Sequence, residues 1–242
     1  MWKTFHSRTW RAVLIASALL LTGLPTELIA ETAGSTGSVD RAIRSDEPFE
    51  LSAATVSTGA AVQEKWLDVE RQVDDERKVL RICEKNPASC PSPAALEFLA
   101  IIDSARPLKG RAQLGEINRA INLAIRLSSD LALYGAEDVW SPPLATLAIG
   151  AGDCEDYAIA KFVALREVGI SPDDLRIVIM RDTLHGEDHA VAAARLDGHW
   201  LTLDNRRMAM VEDVDVRNYR PLFVIDQDTV RLYAEAPSTS GG

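Results

Sequence analysis

The sequence predicts an α+β fold, because helical patterns fill its first part and strand patterns its last part. Before Gly169, apolar residues recur at the spacing of amphipathic helices, and after it short apolar runs are bounded by turn signals. Asp197-Gly198 is the strongest of these signals and indicates a two-residue hairpin, hence an antiparallel sheet. With 242 residues, 47% of them hydrophobic, the chain is long enough for one sizeable core.

Residues 1–30 have the pattern of a secretory signal peptide. Three basic residues precede a short apolar segment from Ala12 to Leu24, and a plausible cleavage point follows Ala30. An uncleaved membrane anchor is the less favoured alternative, because the apolar segment is too short to span a bilayer comfortably. We therefore expect an exported protein with no stable membrane span in its mature form.

The rest of the chain is predicted to form one domain with a lead-in. Residues 31–58 are rich in Gly, Ser, Thr and Ala and are expected to be flexible, and residues 59–242 form the domain, which begins with an accessory helix. The net charge of −10, without a basic stretch, argues against partners such as nucleic acid and anionic membrane surfaces. A net negative charge of this size favours the binding of divalent cations.

The elements follow from periodicity and turn residues. Helices are predicted at Ala60–Lys85, Ala94–Ala105, Gly115–Leu127 and Asp153–Val168. The prolines and glycines of Asp138–Gly152 predict an irregular approach to the last of these helices. Strands are predicted at Leu175–Asp182, His189–Leu196, His199–Asn205, Pro221–Asp226 and Thr229–Ala234.

The three cysteines divide into a pair and a single residue. Cys83 and Cys90 are seven positions apart around a loop and are expected to form a disulfide in an oxidising compartment. Cys154 stays unpaired in the first turn of a predicted helix, where free N–H groups and the helix dipole favour a thiolate. The residue pattern leaves two interpretations open, a reactive thiol or a small buried structural residue.

A thiol nucleophile needs a base, and His189 is the candidate because it opens a strand. The other mature histidines, His185 and His199, lie in a loop and after a hairpin turn.

The two-residue turn pairs Leu196 with His199. That register places His189 and Asp204 on the same face of the sheet as diagonal neighbours, about 7–8 Å apart between backbones. Cys154, His189 and Asp204 then form a candidate nucleophile, base and orienting acid. The alternative is a lone strand histidine and a turn acid.

The segments that carry these residues resemble the bacterial transglutaminase-like cysteine proteinases. The resemblance rests on "GAGDCEDYAIAKFVALREVGI", "LRIVIMRD" and "HAVAAARLDGHWLTLDNR", preceded by "AQLGEINRAIN" and "WSPPLATL". The family includes a periplasmic protease that trims a surface adhesin during biofilm dispersal. The resemblance implies a papain-like α+β fold, Cys154 as nucleophile, His189 as base and Asp204 as orienting residue. It also implies a periplasmic location, an adhesin substrate and an inner-membrane regulatory receptor.

Three carboxylates surround the candidate nucleophile, at Asp153, Glu155 and Asp156. Their charge should raise the pKa of the Cys154 thiol, and a bound Ca²⁺ would cancel that charge. Acids at a helix start also interact well with the dipole without a metal, so the residues alone leave calcium open. The family resemblance implies calcium held by these three acids.

The sequence therefore predicts an exported, calcium-dependent cysteine endopeptidase. One alternative keeps the thioester chemistry but passes the acyl group to an amine, as a cross-linking transglutaminase does. Another is a non-catalytic binding module on the same fold. Reaction of Cys154 with a thiol-directed electrophile separates an enzyme from an inert module, and product analysis separates cleavage from cross-linking.

Overall fold

A computed structural model of the chain describes residues 46–54 and 59–234. The predicted signal peptide and most of the predicted lead-in lie outside the described residues. The described residues combine α-helices with an antiparallel sheet, and the predicted α+β class is confirmed.

The described helices are α1 (Ala60–Lys85), α2 (Pro93–Ala105), α3 (Gly110–Ala124), α4 (Asp130–Tyr134), α5 (Pro143–Ile149) and α6 (Cys154–Glu167). The described strands are β1 (Ala53–Ala54), β2 (Arg126–Leu127), β3 (Ala151–Gly152), β4 (Leu175–Asp182), β5 (Glu187–Leu196), β6 (His199–Leu203), β7 (Val211–Glu212), β8 (Tyr219–Ile225) and β9 (Val230–Tyr233).

Seven strands form the main sheet, in the order β1-β9-β8-β4-β5-β6-β7. Every neighbouring pair in it is antiparallel. β2 and β3 form a separate two-stranded parallel pair immediately before α6. This small pair matters for function, because it places the residues after β2 beside those that begin α6.

Helix α6 is the central element of the core. A run of consecutive residues from Asp156 to Leu165 is buried, because α6 packs on β4 and β5 and is covered by α2, α3 and α5. Trp66 of α1 meets Phe162 of α6 edge to face at 5.5 Å between ring centroids, so the predicted accessory helix packs on the main body. At the other end of α6, Gly169 adopts φ +92°, a conformation that favours glycine after a helix.

The predicted hairpin register is confirmed. Residues pair from Leu196 opposite His199 to Ala192 opposite Leu203, as a two-residue turn at Asp197-Gly198 requires. This register decides which face each side chain takes, so it fixes the placement of His189 and Asp204.

The prediction of an irregular segment at Asp138–Gly152 is wrong for half of its length. Residues 143–149 form α5, in which Pro143 occupies the first turn, a position that needs no backbone N–H. The Glu76 carboxylate of α1 accepts hydrogen bonds from the N–H groups of Leu144 and Ala145, both at 3.0 Å. A side chain distant in sequence thus caps this helix, and the local pattern of prolines could not show it.

The prediction of a flexible lead-in over residues 31–58 is wrong for residues 46–54. β1 pairs with β9 at the edge of the sheet. The Glu47 carboxylate accepts from the Arg176 guanidinium at 2.7 Å and also pairs with Arg231 at 2.7 Å. Both arginines are distant from Glu47 in sequence, Arg176 by 129 residues, so composition alone could not reveal these contacts.

The predicted disulfide between Cys83 and Cys90 is confirmed, and it ties the end of α1 to the segment that precedes α2. Cys154 is a free cysteine. Over the described ranges, none of the helices has the length and apolar character needed to cross a membrane.

Candidate active site

Cys154 is the first residue of α6 and follows the short strand β3. Its thiol is partly buried and donates a hydrogen bond to the Glu155 carboxylate, with 2.9 Å between Sγ and Oε2. The sulfur also lies against the backbone N–H of Ala190, the residue after His189 in β5. The packing of α6 on β5 therefore brings the thiol next to the strand that carries the histidine.

The surroundings of Cys154 hold its thiol in the protonated form. Burial raises the pKa of the Cys154 thiol, and the charge of the Glu155 carboxylate and its hydrogen bond raise it further. The Ala190 N–H acts in the opposite direction but does not compensate. A thiolate at this position thus needs an additional positive charge.

His189 and Asp204 form a buried hydrogen-bonded pair. His189 Nε2 lies 2.9 Å from Asp204 Oδ1, and the histidine side chain is fully buried. Burial opposes ionisation of Asp204, but the hydrogen bond and charge of His189, the Arg206 N–H and the charge of Lys161 together lower the pKa of the carboxyl. His189 Nδ1 is also buried and has no hydrogen-bond partner among the described residues. It is the ring nitrogen left to exchange a proton.

Two asparagines of α3 hold the loop that carries Asp204. The Asn122 amide donates to the Asp204 carbonyl at 3.0 Å and to the Arg207 carbonyl at 3.1 Å. The fully buried Asn118 donates to the carbonyls of Arg207 and Met208 at 3.1 and 3.0 Å. Sequence reasoning missed both residues, although two asparagines one helical turn apart in "EINRAIN" were a signal.

The other two described histidines lie elsewhere. His185 Nδ1 is 2.9 Å from an Asp182 carboxylate oxygen, and His199 Nδ1 is 3.1 Å from a Glu212 carboxylate oxygen. The structure therefore brings His189, and neither of these histidines, to Asp204.

A cluster of three acids lies at the start of α6, around the candidate nucleophile. Asp130, Asp153 and Asp156 each offer a carboxylate oxygen, and the three oxygens lie within 4.8 Å of one another. The parallel pairing of β2 with β3 explains the cluster, because Asp130 follows β2 and Asp153 follows β3 at the same edge. Glu155, predicted to share this site, instead accepts the thiol hydrogen bond, and Asp130 was missed by sequence reasoning.

The cluster fits a hard cation. Asp130 Oδ1 and Asp153 Oδ1 are buried and lack hydrogen-bond partners among the described residues. Burial, with the neighbouring Glu155 charge, raises the pKa of Asp153 to about 9, and burial raises the pKa of Asp156 to about 7. Carboxylate oxygens are the ligands that Ca²⁺ prefers, and a cation would relieve this repulsion.

A family model described as bacterial transglutaminase-like cysteine proteinase matches residues 75–231, more than half of the chain. This chain belongs to that family. It is a transglutaminase-like cysteine peptidase, and Cys154, His189 and Asp204 all lie within the matched residues. A comparison with curated protein sequences gave no match.

Solved structures of LapG from Legionella pneumophila are similar to the peptidase. One has a TM-score of 0.54 at 23% identity and covers 68% of this chain and 90% of that chain. A calcium-bound form has a TM-score of 0.55 at 23% identity, with coverage of 67% and 93%. An EGTA-treated form has a TM-score of 0.53 at 22% identity, with coverage of 68% and 91%. These likenesses show that the peptidase has the predicted transglutaminase-like fold.

Gly152 of the peptidase has no side chain, and the Asp156 side chain occupies the space that a Cβ at position 152 would need. A Cβ at this position would lie 2.7 Å from the Asp156 Cβ, closer than real Cβ contacts come. Gly152→Ala is therefore expected to displace the Asp156 carboxylate, which also accepts from the Ser141 N–H at 3.0 Å.

Changes that disturb the orientation of metal ligands cost about 10–100-fold in metal affinity, so we expect this variant to weaken cation binding at the cluster at least about tenfold. Isothermal titration with Ca²⁺ measures the effect. Gly150→Ala is the matched control for the loss of a nearby glycine, because an added Cβ there meets nothing within 4 Å, although its φ of +68° carries a backbone cost. Equal calcium affinity in Gly152→Ala and the wild type would contradict the prediction.

Proposed function

We propose that this peptidase is an exported, calcium-dependent endopeptidase with Cys154, His189 and Asp204 as its catalytic triad. The orientation of the imidazole carries the proposal. Asp204 engages Nε2, so the buried and unpartnered Nδ1 is the nitrogen available to the thiol, which lies against the next residue along β5. This is the arrangement that nucleophilic catalysis by a thiol requires.

In the proposed reaction, Cys154 is the nucleophile and His189 transfers the protons. His189 Nδ1 takes the thiol proton, and the Cys154 sulfur attacks the peptide carbonyl carbon. The carbon–nitrogen bond then breaks, His189 gives the proton to the leaving amine, and water hydrolyses the thioester.

Asp204 stabilises the imidazolium and holds the ring. The Cys154 backbone N–H, at the start of α6, is the proposed donor to the oxyanion.

Calcium is proposed at the acid cluster, where Asp130, Asp153 and Asp156 would hold it. The ion would supply positive charge next to the thiol and so favour the thiolate. Because Ca²⁺ takes six to eight oxygen ligands, backbone carbonyls or water must complete its coordination. The buried, unpartnered oxygens of Asp130 and Asp153 support the site, and the calcium-bound form of L. pneumophila LapG supports the choice of ion.

The family resemblance supports the proposed location and substrate. We propose that the predicted signal peptide directs the mature enzyme to the periplasm and that a cell-surface adhesin is its protein substrate. An inner-membrane receptor is proposed as its regulator on the same ground.

The test is incubation of the purified enzyme, in the presence of calcium, with the exported proteins of the organism that produces it. Mass spectrometry then identifies new protein termini. The wild type is expected to create termini that the Cys154→Ala variant does not. Covalent cross-links without new termini would support transfer to amines instead. Identical termini with the two proteins would contradict the proposed nucleophile.

A further inference from the structure

A lysine lies fully buried beneath the candidate triad. Lys161 is seven residues after Cys154 on α6, and its exposed fraction is 0%. Its ammonium donates a hydrogen bond to the Leu203 carbonyl at 3.1 Å. Leu203 is the last residue of β6, and Asp204 follows it. One side chain thus joins the helix of the nucleophile to the strand end that carries the orienting acid.

The charge of this lysine interacts favourably with that of Asp204. A buried ammonium is costly unless a carboxylate or several acceptors compensate it. The Asp204 carboxylate supplies the favourable charge interaction felt by the Lys161 ammonium, and the lysine in turn favours ionised Asp204. The Tyr157 ring, 5.7 Å from Nζ, adds a weaker attraction. Burial still lowers the pKa of Lys161, to about 7.

A purely structural role does not explain this arrangement well. An apolar side chain of similar size at position 161 would fill the same space between α6 and β6 without the cost of burying a charge. The features that an apolar side chain would lack are the hydrogen bond to the Leu203 carbonyl and the positive charge near Asp204. Both act on the acid that engages His189.

We propose that Lys161 is a positioning residue of the triad. It fixes the end of β6 through the Leu203 carbonyl and places a positive charge beside Asp204, so that the carboxylate stays ionised and directed at His189 Nε2. The inference rests on the proposed function, because Lys161 acts on the reaction through Asp204.

The test compares Lys161→Met with Arg166→Met. Arg166 is a mostly buried cation on the same helix, with 8% side-chain exposure, and it pairs with Glu70 at 3.1 Å, away from the triad. Lys161→Met is expected to lower kcat on the order of 10²-fold, since small displacements of a catalytic group cost about that much. KM and the unfolding temperature should change little. Arg166→Met should lower the unfolding temperature and keep kcat.

A double-mutant cycle separates this inference from the proposed triad. If Lys161 acts through Asp204, adding Lys161→Met to Asp204→Ala is expected to cause less than a threefold further loss of kcat. Additive losses of kcat, or a wild-type kcat in folded Lys161→Met, would overturn the inference about Lys161. A large loss of kcat in Asp204→Ala would still support the triad in that case. Normal activity of Asp204→Ala would overturn the triad itself.

Lys161→Gln is a second variant, which tests the inference if Lys161→Met does not fold. It keeps a donor for the Leu203 carbonyl but removes the charge, and we expect a loss of kcat of at least about tenfold. Full activity of folded Lys161→Gln would overturn the role of the charge.

Discussion

Replacing Asp204 by alanine is expected to lower kcat of this peptidase by about 10³- to 10⁴-fold, with little change in KM. Removal of the aspartate side chain from a serine-protease triad costs on the order of 10⁴-fold in kcat, and a thiol, which ionises more easily than a hydroxyl, is expected to lose somewhat less. The physical reason is the 2.9 Å contact between Asp204 Oδ1 and His189 Nε2, which fixes the ring and stabilises its charged form.

Asp204→Asn is expected to keep at least about tenfold more activity than Asp204→Ala, because the backbone can orient the amide correctly. Asp204 Oδ1 accepts from the Arg206 N–H at 3.0 Å as well as facing His189. An asparagine oxygen that keeps this backbone bond still accepts from the imidazole, so the ring keeps its tautomer and the variant loses only the charge. Steady-state kinetics of the two variants with one peptide substrate make the comparison.

His199→Ala is the matched control, since it removes a β6 histidine that pairs with Glu212. It should keep most of its activity. If His199→Ala were as inactive as His189→Ala while Asp204→Ala remained normal, the base would have to be His199.

Removal of calcium is expected to abolish proteolysis and to lower the unfolding temperature. At a free calcium concentration about 100 times Kd, binding stabilises a fold by about 2.7 kcal/mol, which corresponds to roughly 5–10 °C for a domain of this size. Activity and thermal unfolding are measured after chelation and again after addition of Ca²⁺ or Mg²⁺. Mg²⁺ should restore activity poorly, because it demands octahedral geometry and gives up its waters reluctantly. Full activity after rigorous chelation would rule out the proposed dependence.

The calcium effect on stability should grow as the pH rises. Burial raises the pKa of Asp156 to about 7 and, together with Glu155, that of Asp153 to about 9 in the cation-free protein. A carboxylate with a raised pKa in the folded state destabilises that state as the pH rises above its unfolded pKa, and calcium binds only the ionised form. The calcium-induced rise in unfolding temperature is therefore expected to be larger at pH 8 than at pH 5.

Asp130→Asn should remove most of this calcium effect while leaving the residues around the thiol in place. Asp130 follows β2 and contributes one of the buried, unpartnered oxygens of the cluster. Asp103→Asn is the control, because Asp103 is exposed and pairs with Arg106 on α2. An unchanged calcium response in Asp130→Asn would place the ion elsewhere.

The sequence was sufficient to predict a contact wherever local residues, such as those of a turn, determined which distant residues meet. A two-residue turn at Asp197-Gly198 fixed the pairing of β5 with β6, and this register carried His189 to the same side as Asp204. The start of α6 was equally predictable: a helix was expected from Asp153, and α6 begins at Cys154, with the Asp156 carboxylate accepting from the Asp153 N–H at 3.3 Å.

The contribution of Asp130 could not be predicted, because it depends on two strands of two residues each. Strands this short have no measurable periodicity, and their parallel pairing joins positions 126–127 to 151–152. The roles of Glu76 and Glu47 were hidden for the same reason, since each acid meets partners that lie far away in sequence. Lys161 was also overlooked, because a lysine within a helical pattern is expected to face solvent.

The pairing of β1 with β9 joins Ala53 to Tyr233, at opposite ends of the described chain. A contact of such high sequence separation carries a large loop-closure entropy, so it is expected to form late in folding. During synthesis β1 leaves the ribosome well before β9, so it has no pairing partner until β9 has been made. Removal of β1 would therefore leave β9 as an unpaired edge strand, and removal of β9 would leave β8 unpaired on that side.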